Sequence, residues 1–500
     1  MKTSIAWQET EESRSLLVER LSRTIEALPL EERSKKKAGR PQQVEWKQIV
    51  LGVLVSVLFG MNNYQQLWRR LRSQPLGSYE PIEVKDDAII KRLRQAGTRP
   101  WEDLFEQLQD PEEDLGQAEE LAPFARSVVA LDEMAGEQMQ RHLKTQWGLP
   151  AGDKRLLPGK LSGRFNVRSQ QWERVQWQPD AQANCKVNVG TLLLGLAVGS
   201  LLLFDLGYFA FAWFDQLSSA GYWWISRLRE KTSYQLVHTF WRLEGNLDAL
   251  IWLGAYRSDR AGRMVRLVRF WDGEKVHSYI TNVLDPRQLS LKHLAQLYAR
   301  RWDIELAFLL LKEYLPLRQW WSSQAVLVQQ QCLAVLIVAQ EVHRLQVRLA
   351  RQAGVPIFDV SLPLVMEQVP HWLDQGQDPQ EWMSRYGKAL GLIRPSSRLV
   401  PVVPEVKEEE LRLPQGPLPE NRKERYHRYE QRGEGEEADA TISKTGTAKK
   451  REKRKREKKE REEKMVNVQE KRENHSSHHK KRKKQNPLGI EKERISLFSG

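Results

Sequence analysis

The chain has 500 residues, a formal charge of +14 and a pI near 9.5. That length suits two or three domains, and the excess of base suggests a polyanionic partner, because Lys and Arg gain affinity by releasing counterions from phosphates. Two cysteines, Cys185 and Cys332, exclude a disulfide framework and a cysteine-built zinc site and fit a reducing compartment, read as the cytoplasm.

The opening Met1-Lys2-Thr3-Ser4 runs into charged residues without the apolar core of a secretion signal. Residues 1–35 read as a polar amphipathic helix, ended by the basic linker Lys35-Lys36-Lys37-Ala38-Gly39-Arg40-Pro41. An apolar period returns over 46–71, and Asp86-Asp87 opens a short helix with a basic end at Arg92 and Arg94. Residues 1–120 are therefore expected to form a helical N-terminal domain. Its Arg69, Arg70 and Arg72 suit phosphate contacts or a solvated helix end equally.

Strand patterns take over between Ser127 and Arg229. The run 127–131 is β-rich and apolar, and 164–167 and 172–178 read as two strands joined by a polar turn. A helix near 186–197 precedes Leu201-Leu202-Leu203-Phe204, whose unbroken apolar letters mark a strand covered on both faces. Residues 187–204 have the length of a membrane helix, but Gly190, Gly195 and Gly199 divide them and Asp205 follows at once. A buried helix feeding a buried strand explains the same letters.

After Asp205 come a helix over 209–219, stopped by Gly221, and a strand over 222–227. Three strands, helix, strand, helix, strand is the order of a ribonuclease H-like core. The expected fold is α/β: such a core, begun by residues 121–230, interrupted by a β-rich insertion at 231–288 and completed by helices over 289–352 and a helical segment over 353–404. Residues 264–271 and 276–282 carry the strand-like alternation of the insertion. Residues 405–500 hold 28 Lys and Arg against 20 Asp and Glu, +8 of the +14. Their near-absence of apolar periodicity predicts a disordered charged tail, since too little surface can be buried to offset the ordering entropy. Within it, 449–484 carries 18 positive and 7 negative side chains, and His475, His478 and His479 read as a solvated tract.

The most informative stretch is 298–312. On a helix at about 100° per residue, Tyr298, Arg301, Glu305 and Lys312 fall within an arc of roughly 60°, bordering an apolar stripe of Leu297, Ile304, Phe308, Leu311 and Leu315. As helix geometry alone, Arg301 and Glu305 are an ordinary i,i+4 pair on a surface flank. The spacing, however, resembles the Y-x2-R-x3-E-x6-K signature of the DDE transposases of the insertion sequence four family, and all four positions match.

That resemblance implies a metal-dependent enzyme that cuts transposon ends and joins the freed 3′-hydroxyl to target DNA. Glu305 is implied as the third metal-binding carboxylate. Tyr298, Arg301 and Lys312 are implied to hold the phosphate backbone of the transposon end, Arg suiting bidentate contact and Lys a point charge. The other two carboxylates are sought at strand ends, at Asp132 after 128–131 and Asp205 after 201–204. Asp205-Leu206-Gly207-Tyr208 resembles the family's D-x-G-Y/F element.

A helix N-cap remains open for Asp205 and a turn role for Asp132. Glu133 is an alternative ligand, and Met134 departs from the small hydroxyl residue common at that place in the family. Three convergent carboxylates need a cation, and oxygen ligands select hard ions: Mg2+, with Mn2+ as a substitute. Two ions about 3.5–4 Å apart suit an in-line displacement.

The implied partners are double-stranded DNA, as terminal inverted repeats and target, and a second copy of the chain in the synaptic complex. Trp241, Trp252 and Trp271 are either core residues or stacking platforms for an extruded base. Alternative readings are a degenerate transposase that binds DNA without cutting and another ribonuclease H-like nuclease. A membrane protein needs further long apolar segments, and 49–60 is too short to span.

Overall fold

Strands written in continuous apolar letters need cover on both faces. In the computed structural model they form the middle of a large sheet with helices on either side. It describes residues 16–27, 43–109, 122–135, 160–178, 183–315, 317, 320–322, 324–375, 377–396, 402–419 and 421–422. All of these belong to one unit, which ends at Arg422.

The described strands are β1 (Val128–Ala135), β2 (Lys160–Asn166), β3 (Gln171–Gln178), β4 (Leu201–Phe204), β5 (Trp223–Arg227), β6 (Tyr234–Leu243), β7 (Asn246–Leu253), β8 (Val265–Trp271) and β9 (Val276–Thr281). They lie in the order β3-β2-β1-β4-β5-β9-β8-β7-β6. β1, β4 and β5 are parallel, and every other pairing is antiparallel. The strands over 234–281 thus continue the same sheet through the β5–β9 pairing.

Alternation assigns the two faces. Val128, Ala130, Leu201, Leu203 and Ile225 face one apolar core, shared with the helices that follow the sheet. Val129, Leu131, Leu202, Phe204 and Trp224 face the other, shared with two helices on the opposite side.

The described helices before the sheet are α1 (Leu16–Ala27), α2 (Trp46–Leu58), α3 (Tyr64–Ser73), α4 (Asp86–Ala96) and α5 (Arg99–Gln107). Between strands lie α6 (Val189–Leu193) and α7 (Phe211–Ser219). After the sheet come α8 (Leu291–Ala299), α9 (Trp302–Leu309), a π-helical turn Leu310–Tyr314, and α10 (Ala325–Ala353), followed by α11 (Leu362–Gln375) and α12 (Pro379–Tyr386). The helix expected near 186–197 is shorter, a 3-10 turn Cys185–Val187 followed by α6, because Gly195 and Gly199 take positive φ and turn the chain toward β4.

α10 is apolar and long enough to cross a membrane by composition, but most of it is packed inside protein. The N-terminal helices close over it: Gln330 Nε2 donates to Leu93 O at 2.7 Å and Gly97 O at 2.6 Å, and Arg344 donates to Leu108 O. One apolar core runs from α2 through α10 to the sheet. Arg70 and Arg72 lie over the rings of Phe59 and Trp68.

The predicted disordered tail begins too early. Residues 402–419 and 421–422 lie on the edge of the sheet: Arg412 N donates to Phe240 O at 2.8 Å, Arg422 N to Gly262 O at 2.8 Å, and Asn421 bridges Arg263. Leu411 and Leu418 pack on the cluster of Phe240, Leu250 and Trp252. Two leucines too far apart to make a period still bury surface, and the edge strand supplies backbone partners. The tract 449–484 and the three tail histidines lie outside the described residues.

Candidate active site

Parallel strands bring their C-terminal ends to the same edge, where ligands can reach them. The β1–β4 ladder ends at Leu131 opposite Phe204, so the next residues, Asp132 and Asp205, leave it side by side. Asp132 was expected at the end of its strand, but β1 runs on to Ala135 with β2 as partner and pairs Asp132 with Gly163. A Cβ on Gly163 would fall 2.4 Å from the Trp172 ring. The glycine therefore lets Trp172 cross the strand and pack on Phe308 of α9, ring centroids 4.8 Å apart.

Alternation also separates the two adjacent acids of β1. Asp132 shares its face with Ala130 and Met134, toward α9. Glu133 points to the opposite face, where its carboxylate takes Lys160 Nζ at 2.5 Å and Ser162 Oγ at 2.8 Å. Glu133, the alternative to Asp132, is thus engaged on the face away from α9.

Asp205 stands at the N-cap position of the turn Leu206–Tyr208, but its side chain makes no capping hydrogen bond there. Its Oδ1 is buried without a hydrogen-bond partner in the structure. On α9, Glu305 Oε1 accepts from Arg301 at 2.6 Å, and the same guanidinium reaches Asp132 Oδ2 at 3.4 Å. The Arg301 side chain is 6% exposed, against 26% for Asp132 and 30% for Glu305. One arginine thus joins two of the three expected carboxylates, and the charge of the third, Asp205, also acts on it.

Burial pushes the Asp132 carboxyl up from 3.8 to about 6; the backbone N–H of Glu133 and Arg301 oppose this, while Glu305 and Asp205 add to it. Because the folded pKa lies above the unfolded one, ionising Asp132 costs stability. The cost is absent below about pH 4, grows between about 4 and 6 and is complete above 6. With a chelator present, Asp132→Asn is expected to raise stability at pH 8 by on the order of 1–3 kcal/mol and to change it little at pH 4. Thermal melts across that range measure it, and a difference independent of pH would contradict the assignment.

The stretch 298–312 is not one continuous helix, so the single arc does not hold. α8 ends at Ala299, Arg300 and Arg301 turn, and α9 starts at Trp302. The break is held by buried Asp303, whose Oδ2 accepts from Arg300 Nε at 2.7 Å and Gln170 Nε2 at 2.9 Å, tying α9 to the β2–β3 hairpin. That tie spans 133 residues of sequence and carries no local signal.

Tyr298 is buried, with its hydroxyl 3.4 Å from Phe204 O and its ring 4.6 Å from that of Tyr279. It faces inward, bracing the end of β4 beside Asp205. Lys312 stands in the π-helical turn, half-buried. Such widened turns recur at functional sites. Trp241 and Trp252 are buried core residues, whereas Trp271 and, next to Arg301, Trp302 are about half exposed.

All the candidate ligand atoms are carboxylate oxygens, the donor set of a hard cation. Among the described residues, no three His, Cys, Asp or Glu side chains are gathered closely enough to hold an ion, and Arg301 lies between Asp132 and Glu305. The unpartnered Asp205 Oδ1 and the mutual field of three acids fit a cation nonetheless.

Residues 164–339 match the family model of the transposase DDE domain. The match supports a DDE transposase; it contains Asp205, Tyr298, Arg301, Glu305 and Lys312 and begins after Asp132. No curated protein matches the chain.

Proposed function

We propose that this chain is a DNA transposase that cuts transposon ends and transfers the 3′-hydroxyl to target DNA, with Asp132, Asp205 and Glu305 as its metal-binding carboxylates. The observation that carries this is the register of β1 and β4, in which Asp132 and Asp205 emerge together, with Glu305 joined to Asp132 through Arg301. The strand order β3-β2-β1-β4-β5, with β2 alone reversed among its neighbours β1, β4 and β5, supports a ribonuclease H-like core. In this reading β6–β9 form the insertion and α8–α10 complete the core.

Held by the three carboxylates, Mg2+ or Mn2+ would activate the attacking oxygen and neutralise the leaving oxygen of an in-line displacement, two ions serving both ends. The protein's own work is positional. β1 and β4 fix the two aspartates on the sheet, and Trp172 and Asp303 fix the height and pitch of α9, which carries Glu305. Tyr298 supports the backbone of Phe204 from within, so the phosphate contacts of the Tyr-Arg-Glu-Lys set fall to Arg301 and Lys312. Pairing two ends requires at least two copies of the chain.

The test is cleavage and strand transfer on DNA that carries the inverted repeats flanking the gene, with Mg2+ present. Cutting at the repeat boundary, abolished by Asp205→Asn, is the expected result. Specific end binding without any cutting would favour a protein that holds DNA and does no chemistry.

A further inference from the structure

Arg301 lies between Asp132 and Glu305, and the way it is held differs from that of Arg266, a buried arginine on β8. Arg266 forks onto a single carboxylate, with Asp248 oxygens at 2.7 and 2.6 Å. Arg301 instead gives one nitrogen to Glu305 at 2.6 Å and another, at 3.4 Å, to Asp132, while its Nε is buried without a hydrogen-bond partner in the structure. A planar guanidinium matched to one carboxylate uses its fork. This one is shared between two carboxylates by charge rather than fitted to either.

Two cations set between the same two carboxylates repel each other, so a divalent ion and Arg301 in its present position exclude one another. We propose that Arg301 is the resident counter-cation of the carboxylate cluster and that a divalent ion must displace it from Glu305 and Asp132. This rests on the assignment of those carboxylates as metal ligands. The displaced guanidinium has a nearby berth, since it already lies 5.4 Å from the half-exposed ring of Trp302. From there it can meet a DNA phosphate, which makes loading of the ion and engagement of DNA successive uses of one side chain.

The experiment titrates the full chain with Mn2+ alone, without DNA, by calorimetry and by the rise in melting temperature. Arg301→Gln is expected to lower the Mn2+ dissociation constant by about tenfold or more, since removing a competitor returns its share of the affinity. Its melting temperature before Mn2+ is added is expected to fall, and the Mn2+-induced rise to exceed that of the wild type. Arg301→Lys keeps the charge and loses the fork, so it should bind with intermediate affinity, and it decides the matter if Arg301→Gln does not fold. Mn2+ affinity that is unchanged or weakened in these variants, while the wild type binds the ion, overturns the competition and leaves the carboxylate assignment standing. Absence of Mn2+ binding in wild type and variants alike overturns the carboxylate assignment itself, and the competition with it.

Discussion

Glu305→Gln is expected to slow end cleavage by about a thousandfold or more, on the order of 4 kcal/mol of lost transition-state stabilisation, while end binding stays within a few-fold of wild type. The change keeps the size and one acceptor oxygen of the side chain, so Arg301, 2.6 Å away and also in reach of Asp132, retains partners. What it removes is a negative charge at the site where α9 meets β1. A phosphate backbone approaching that site is repelled by Glu305 in the wild type, so binding has no reason to weaken. Single-turnover cleavage beside a gel-shift titration separates the two effects. A Glu305→Gln protein that cuts at the wild-type rate removes Glu305 from the chemistry, and one that loses end binding in step with cleavage makes it a structural residue.

The parts of the site legible in the sequence were those written locally. Leu201–Phe204 is continuous because both of its faces are covered, and Asp205 follows where the cover ends. Glu305 was singled out by its fixed distances to Tyr298, Arg301 and Lys312. That Asp132 and Glu133 face opposite sides of the sheet needed the register of β1, and past Leu131 polar letters hide that the strand continues. Arg301 was legible as a partner of Glu305, four residues away, but not of Asp132, 169 residues away. The same limit applies to Asp303, whose burial depends on Gln170 across the hairpin, and to residues 405–419, whose order depends on an exposed strand edge rather than on a period of their own. Strands 6 to 9 could be read as strands, but that they prolong the main sheet is set by the β5–β9 pairing, which no local pattern encodes.

The largest expected loss of stability lies in those added strands. Arg266 on β8 is fully buried, its side chain 0% exposed against 3% for its partner Asp248 on β7, and its third nitrogen contact is to Leu289 O at 2.5 Å. Arg266→Met leaves the buried Asp248 carboxyl without its partner and is expected to cost about 3–5 kcal/mol, because the desolvation of that polar group is no longer offset. Replacing both residues, Arg266→Met with Asp248→Leu, is expected to recover most of that loss, since a buried ion pair and a well-packed apolar pair of similar volume differ little. Calorimetric unfolding of the two variants measures the difference, and a single variant within about 1 kcal/mol of wild type would contradict it.

The pair also bears on the site, because Leu289 directly precedes Ser290, the residue that caps α8 by accepting from His293 N. α8 leads through Tyr298 to Arg301 and Glu305. The double variant therefore separates two roles: if it regains stability yet still cuts slowly, the Arg266 contact to Leu289 sets where α8 begins, and the added strands position the residues that follow α8 as well as extending the sheet.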